Sequence, residues 1–549
     1  MRGLALLLLA ALIAAAAFSF GGLDRNVAVH ASLEAPGTSR PVALPLAAPV
    51  ILDAANGDSL SISIEGYGPD HVGVLSITAD GASLEVIVGD GGRRSQRTSC
   101  TTECRVVARV VGDTTTVVRV VSKGGEATLR TLAFEPVTSR HHGGTSGLAV
   151  MSGFGLMLLF GPLLVWLRRW PGAEQAALAL AGMVWIGVAS LAGLVVAIAF
   201  VLVGYLVIKG LSRVKDRRSR ALAAALAGVA LIVALLKFAA PVMASAFANP
   251  GGLWLALPLG ISYLAIRLID LILAAHARAL RGLTLLDYTA FMLSPHTLPA
   301  GPIQLYGDFL RGRIEGWSSV DLAAGAARMG VGVAKKLLAD SFLLPLVTVH
   351  MGNHLTGTGD PQKSVLIMLV ANLLYVYLDF SAYCDLAIGA ARAGGRRLPE
   401  NFNWPLVRGG LRRYWRHWHM TLSQWVMRRV YFPAFLASHS TTLALIASML
   451  TIGLWHAPTI SWTLWALHHS LAMAAEGRIN PDPPSGEAQP GSLAMRVTAA
   501  GRHFVGMIFM LGWVSLGHAF TLFAAPRVAI ETYLAALSAP FIILWRLCS

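Results

Sequence analysis

Hydrophobic positions in this chain follow two different periods. From about Asn26 to Gly144 they alternate with polar ones, as in Leu60, Ile62 and Ile64 against Ser61, Ser63 and Glu65. The pairs Asn56-Gly57, Asp80-Gly81, Gly91-Gly92 and Gly124-Gly125 punctuate this stretch. Alternation broken by turn residues predicts short strands, and a small β-sandwich-like domain outside the membrane is expected over 26–144. Beyond it the apolar stretches become continuous: 147–167, 174–209, 221–247, 253–275, 285–305, 327–350, 364–392, 441–475, 504–524 and 527–546. Runs of that length predict membrane-crossing helices, roughly ten to twelve crossings in all, and no internal repeat is evident. Residues 147–250 then form a first set of transmembrane helices and 251–546 a membrane core. At the start, Arg2 and the apolar run Leu4 to Ala17 have the charged beginning and hydrophobic centre of a secretory signal, so 1–22 is either a cleaved signal peptide or a first membrane anchor.

Charge sets the orientation. The run 174–209 lies between Arg168-Arg169 and the cluster Arg213, Lys215, Arg217, Arg218 and Arg220. If both ends are cytoplasmic it crosses an even number of times, and its 36 residues, about 54 Å of helix, fit a tight hairpin better than one tilted span. With Gly144 outside, Arg168 falls inside, which agrees with an exported N-terminal domain. The Pro- and Gly-rich loop from about Glu476 to Arg502 is then cytoplasmic. The composition, 55% hydrophobic and 13% charged, excludes a soluble globule. The excess of 44 Lys+Arg over 29 Asp+Glu sits in short clusters between apolar runs, so it reads as topology and not as a nucleic-acid surface. Of four cysteines, Cys100 and Cys104 are close together in the exported segment and are expected to form a disulfide, whereas Cys384 and Cys548 are expected to be free thiols.

Polar groups concentrate between Tyr377 and Pro433, and charge that dense near a bilayer needs a reason. This part runs Tyr377-Leu378-Asp379-Phe380-Ser381-Ala382-Tyr383-Cys384-Asp385, then Leu398-Pro399-Glu400-Asn401-Phe402-Asn403-Trp404-Pro405, then Tyr414-Trp415-Arg416-His417-Trp418-His419-Met420-Thr421-Leu422-Ser423. Residues 398–433 are too polar to cross simply, so re-entrant or interfacial helices are expected there. Asp379 and Asp385 lie about 120° apart on a helix. Bare carboxylates here are costly, so they either pair with arginines such as Arg412, Arg413 or Arg416 or stay protonated; they act as helix clamps or as catalytic acids. His417 and His419 could begin a metal site, but alternate residues face different sides of a helix and nothing nearby completes zinc spacing, so no metal is expected. His456 lies in Gly453-Leu454-Trp455-His456-Ala457-Pro458, with Trp462, Trp465 and His468-His469 following. A lone histidine on an apolar helix is ordinarily a hydrogen-bonded core group, but the crowding aromatics favour a chemical role, and a neutral imidazole is what a general base requires.

Taken in order, these segments resemble the membrane-bound O-acyltransferase family, in the bacterial branch of alginate O-acetylases and teichoic-acid D-alanyl transferases. The resemblance runs from about Leu257 to Leu537 and includes Pro258-Leu259-Gly260-Ile261-Ser262-Tyr263, Pro299-Ala300-Gly301-Pro302-Ile303 and Lys335-Lys336-Leu337-Leu338-Ala339-Asp340 as well as the stretches above. It implies an all-α polytopic fold, a ring of helices around a thinned centre with a tunnel, in a bacterial inner membrane. It also implies His456 as the catalytic histidine and His419 as the second one, with Trp455, Arg416, Trp418, Asp379, Asp385, Asn401 and Ser423 binding substrate or donor. Arg408, Arg412, Arg413, Arg416, Arg428 and Arg429 would face donor phosphates or anchor helices. No bound cofactor is implied: the donor is acyl-CoA or an acyl-carrier thioester, and the acceptor is a hydroxyl of an exported glycan or of a relay protein. Membrane lipid and a secreted or periplasmic acyltransferase are the further partners implied. The chain departs from the family at Ala457, where glycine is usual, at His417, where the acetylases commonly have arginine, after Tyr431-Phe432-Pro433, where a glycine pair is missing, and at Leu516-Gly517-His518-Ala519. Two rival readings are a transporter of polysaccharide precursors, which would predict inverted repeats, and an idle scaffold whose β-domain binds envelope polymer.

Overall fold

In the computed structural model the described residues are 27–35, 38–42, 50–53, 59–66, 71–90, 95–100, 103–110, 115–138, 147–189, 191–214, 218–234, 260–280, 282–298, 301–357, 359–479, 493–523 and 526–548. The expected signal or anchor at 1–22 lies outside them, as do the side chains of Cys100, Cys104 and Cys548 and so the expected disulfide. The described residues divide into two compact units, one drawn from 22–144, 344–372 and 515–549 and the other from 145–343 and 373–514.

The first unit holds strands β1 (Val27–Ala35), β2 (Thr38–Val42), β3 (Val50–Asp53), β4 (Ser59–Gly66), β5 (His71–Asp90), β6 (Ser95–Cys100), β7 (Glu103–Val110) and β8 (Thr115–Thr138). They pair antiparallel in the order β2-β1-β4-β8-β5-β6, with β3 also on β8 and β7 also on β5. The alternation read from the sequence selects one face. Leu60 on β4 sits opposite Val120 on β8, which sits opposite Val86 on β5, and all three are buried. Asp80-Gly81 and Gly124-Gly125 do not end strands as their turn character predicts. β5 and β8 run through them, and the pairing slips between Thr78 and Ala79 and again between Gly81 and Ser83. Glycine at such points lets a long strand bend without losing its partner. The strands form a single sheet path, and the two facing layers of the expected sandwich go beyond it.

The helices are α1 (Gly147–Leu167), α2 (Ala173–Ala189), α3 (Leu191–Arg213), α4 (Arg218–Ala234), α5 (Ile261–His276), α6 (Leu285–Met292), α7 (Tyr306–Arg311), α8 (Ser319–Leu338), α9 (Leu344–Thr356), α10 (Pro361–Ala393), α11 (Leu411–His417), α12 (Met420–Val426), α13 (Phe432–Ser438), α14 (Thr441–His456), α15 (Ile460–Ile479), α16 (Leu493–Gly517), α17 (Ala519–Leu522) and α18 (Pro526–Cys548). Among the described residues three stretches are long and apolar enough to cross a membrane, 193–213, 361–393 and 500–522, and 173–187, 219–233 and 441–456 are apolar but shorter. The chain is thus a mostly helical membrane protein. The run 174–209 divides into α2 and α3, which pack on each other as the hairpin reading expects. Other runs are less regular than hydropathy suggests. Among the described residues the run 285–305 contains the eight-residue α6, which Thr284 caps, and a 3-10 turn over Pro295–Thr297, and 441–475 divides at Ala457-Pro458 into α14 and α15. Segment 398–433 forms a 3-10 turn over Pro405–Val407, the short helices α11 and α12, a π turn over Met427–Tyr431 and the start of α13.

Within the second unit, α1 to α6 bury a core around Leu264, Leu268, Leu271, Ile272, Tyr288 and Phe291. A second contact sets the polar machinery. Gly325 of α8 faces Gly389 of α10, and Gly332 faces the Ala382 carbonyl, so the two helices run antiparallel at backbone contact. A Cβ added at Gly325 would lie 2.6 Å from the Gly389 oxygen, and one at Gly389 would lie 2.6 Å from the Gly325 oxygen. Gly389→Leu is expected to push α8 and α10 apart and to cost about 1–3 kcal/mol, read as a lower melting temperature of the detergent-purified chain. A melting temperature equal to wild type would show that this contact does not hold the helices.

Candidate active site

The site is built on short helices because the backbone reverses there twice. α11 is seven residues long and starts against Glu476, whose carboxylate accepts from the N–H groups of Leu411 (3.1 Å) and Arg412 (2.8 Å). A negative group there satisfies donors that the helix leaves open and suits its dipole. At the other end the Ser423 hydroxyl donates to the carbonyls of Trp415 and Trp418, each at 3.1 Å. His419, between α11 and α12, has φ 43° and ψ 54°, a left-handed conformation that non-glycine residues seldom adopt. It is held there by the Met420 N–H on the Asn401 carbonyl (2.8 Å) and by the Ser423 N–H on the His419 carbonyl (3.0 Å). Strained backbone held this firmly is commonly found at functional sites.

The His419 side chain is buried. Its Nδ1 is 3.0 Å from Asn401 Oδ1, Phe380 meets the ring edge-on at 4.8 Å between centroids, and Nε2 has no hydrogen-bond partner. Burial lowers the pKa of this imidazole to about 3, so it is neutral at physiological pH. Asn401 is fully buried and joins three further groups: its Oδ1 accepts from the Thr421 N–H (3.3 Å) and hydroxyl (2.8 Å), and its Nδ2 donates to the free Cys384 thiol (3.2 Å). The Thr421 hydroxyl in turn accepts from the Ile303 N–H at 2.9 Å.

On the far side of His419, 6.3 Å away between ring centroids, lies Trp455, and the Trp455 ring also meets His456 at 4.7 Å. The two candidate histidines therefore flank one indole. That indole is itself fixed, since Trp455 Nε1 donates to the Ser262 carbonyl at 3.4 Å and the ring packs edge-on against Tyr263. His456 is the last residue of α14, half-buried, and stacks on Trp462 at 4.5 Å with 14° between planes. Pro458 follows an extended Ala457, so the helix stops at the histidine.

The remaining predicted residues do other work. Asp379 pairs with Lys336 (2.7 Å), and Asp385 with Lys335 (2.6 Å) and Arg328 (3.0 Å), which also grips Glu400. The partners expected were Arg412, Arg413 or Arg416. The pairing instead comes from α8, which the glycine contacts set against α10. Arg416 is exposed and its Nε donates to the Arg412 carbonyl, whereas Trp418 is buried in a stack on Tyr414 with Phe402 edge-on. Ser423 is occupied in capping α11 and is not brought to the histidine pair. Of the arginines expected at donor phosphates, Arg408 bonds Asn403, Arg428 bonds the Gln424 carbonyl, and Arg429 pairs with Asp270 at 2.6 Å. His417 binds the Arg413 carbonyl through Nδ1, away from His419. Sequence reasoning missed Thr421 and Arg267. Arg267 is buried and donates to the carbonyls of Phe291, Met292 and Thr297 and to the Thr297 hydroxyl, so it anchors the segment leading into Ile303. The seven-residue spacing of Arg328 and Lys335, one face of a helix, was the available signal for the ion pairs.

The chain is thus a helical membrane protein in which two histidines contact one half-buried tryptophan. Residues 253–480 match the model of the membrane-bound O-acyltransferase family, and this stretch is a membrane-bound O-acyltransferase domain. Among relatives, the chain is 29% identical over 270 residues to a probable alginate O-acetylase, AlgI, of Azotobacter vinelandii, covering 47% of this chain and 50% of the relative. It is 31% identical to a probable AlgI of Pseudomonas aeruginosa over 40% of this chain and 42% of that one. It is 25% identical to the teichoic acid D-alanyltransferase of Bacillus subtilis over 39% of this chain and 58% of that one. The chain thus spans about half the length of the curated relatives it matches.

Lys336 pairs with the buried Asp379 and, at 2.9 Å, with Asp340, so Asp379→Ala is expected to cost about 1–3 kcal/mol by removing one of its two carboxylate partners, whereas the double change Lys336→Met with Asp379→Leu recovers most of that loss. Thermal melting of the three proteins in detergent checks it.

Proposed function

We propose that this chain is an O-acyltransferase of a bacterial inner membrane, with the N-terminal sheet on the extracytoplasmic side. It moves an acyl group, acetyl first among the candidates, from a cytosolic thioester, acyl-CoA or an acyl-carrier protein, to a hydroxyl of an exported polysaccharide or of a relay protein. A secreted or periplasmic acyltransferase would complete the transfer in the relay case. The observation that carries this reading is that His419 and His456, the two histidines of the family resemblance, flank one fixed indole, with His456 half-buried at a helix end.

The length of α14 supports it. α14 has 16 residues, about 24 Å of helix, against a hydrocarbon core of about 30 Å. A helix that starts at one surface and stops early leaves its terminal histidine within the membrane thickness, where a charged donor from one side and a glycan from the other can meet. In the reaction His456 takes the proton of the acceptor hydroxyl as that oxygen bonds to the thioester carbonyl carbon. The tetrahedral intermediate then collapses, the C–S bond breaks, and the leaving thiolate takes the proton from the imidazolium. The imidazole returns to its starting state, and ester and thiol are the products. Bringing both reactants to one spot and general-base assistance each lower the barrier by several kcal/mol. Among the residues expected to bind substrate or donor, Trp455 and Asn401 adjoin the histidines, and Asp379 and Asp385 act through the helix clamp. Relatives named for D-alanyl transfer support the alternative that the acyl group is D-alanyl.

Replacing His456 with Ala should lower acyl transfer in membranes by about 10²–10⁴-fold at normal protein level. His419→Ala should cost less. Wild-type turnover by the His456 variant would refute the base assignment.

A further inference from the structure

We propose that Asn401 and Thr421 are positioning residues that lock His419 as its Nδ1–H tautomer, so that Nε2 is a hydrogen-bond acceptor for a substrate hydroxyl and never a donor to the thioester carbonyl. The inference deepens the acyltransferase reading and rests on it for the identity of the substrate. The tautomer itself follows from local chemistry alone.

Every hydrogen in the relay has a determined direction. A backbone N–H can only donate, so the Thr421 N–H at 3.3 Å fixes the facing atom of Asn401 as its oxygen. The opposite assignment would set an amide N–H₂ against that N–H and would take the donor away from Cys384 Sγ, 3.2 Å from Nδ2. The Ile303 N–H fixes the next member in the same way. It donates to Thr421 Oγ1 at 2.9 Å, so the hydroxyl hydrogen is free to point to Asn401 Oδ1, 2.8 Å away. Asn401 Oδ1 is therefore an acceptor on every side, and the Nδ1 of His419, 3.0 Å from it, must carry the hydrogen. A neutral imidazole has one N–H, so Nε2 holds the lone pair.

That nitrogen is buried and has no partner among the described residues. What it can bind is a group with a hydrogen to give, which a hydroxyl has and a thioester carbonyl lacks. His419 thus marks the acceptor side of the indole. A polyol acceptor can place one hydroxyl on His419 and offer a neighbouring one to His456. Polarisation of the thioester carbonyl falls to other donors.

The test uses the full chain, labelled with ¹⁵N-histidine, in detergent near neutral pH. His419→Gln identifies the His419 resonances by their loss. The expected spectrum shows Nε2 as the unprotonated, pyridine-type nitrogen and Nδ1 as the protonated one. Thr421→Val should shift both toward a mixture of tautomers and lower kcat at least about tenfold with KM little changed, and Thr421→Ser should restore both. A protonated Nε2 in the wild-type spectrum overturns the inference, whether or not the valine variant folds, and so does a Thr421→Val spectrum identical to wild type. If the spectra are as expected and the wild-type chain transfers no acyl group, the tautomer assignment stands and the acyltransferase reading fails.

Discussion

A buried side-chain amide holds this site together. Asn401 has two lone pairs on Oδ1 and two hydrogens on Nδ2, and it uses them to join Cys384 of α10, His419 at a backbone reversal, and Thr421 of α12. Through Thr421 it also reaches the extended segment at Ile303. An unpaired amide in such surroundings is costly, so these segments are favoured only in the arrangement that satisfies it. The left-handed backbone at His419 is tolerated for the same reason: Asn401 also supplies the carbonyl that receives the next N–H.

The charged groups serve this arrangement from one layer further out. Glycines let α8 and α10 touch along their backbones, and that approach sets Lys335, Lys336 and Arg328 directly on Asp385 and Asp379. Asp385 lies next to Cys384, and Arg328 also grips Glu400, next to Asn401. The ion pairs thus hold both chain segments that present the amide hub. Their contribution is placement more than net stabilisation, since taking two charges out of water offsets much of their attraction.

The catalytic proposal draws on a difference between the two histidines. His419 is buried, with one nitrogen committed to Asn401, while His456 ends a short helix, stacks on Trp462 and stays half-buried. One imidazole held rigidly and one less buried, beside a shared indole, suit a reaction in which one group orients an alcohol and another takes its proton.

Much of this was legible in the chain itself. Alternation predicted the strands and their buried face at Leu60 and Ile62, because strand side chains point to opposite sides by geometry alone. Continuous apolar runs predicted a helical membrane protein, and the sequence singled out Trp455-His456 and the segment around His419, whose rings the fold brings together. Hydropathy overstated the regularity of the helices, since apolar content does not record where Pro295 or Pro458 interrupts them. It also read Asp80-Gly81 and Gly124-Gly125 as turns, where the paired strands continue through a bend. Only the tertiary structure decided which cations meet Asp379 and Asp385, that Ser423 caps a helix, and that Thr421 completes the relay to His419. The Ser423 cap reaches only five to eight residues back but requires the backbone reversal at His419. The ion pairs and the Thr421–Ile303 contact join residues far apart in the chain, and local composition carries no information about which distant backbone a helix will touch.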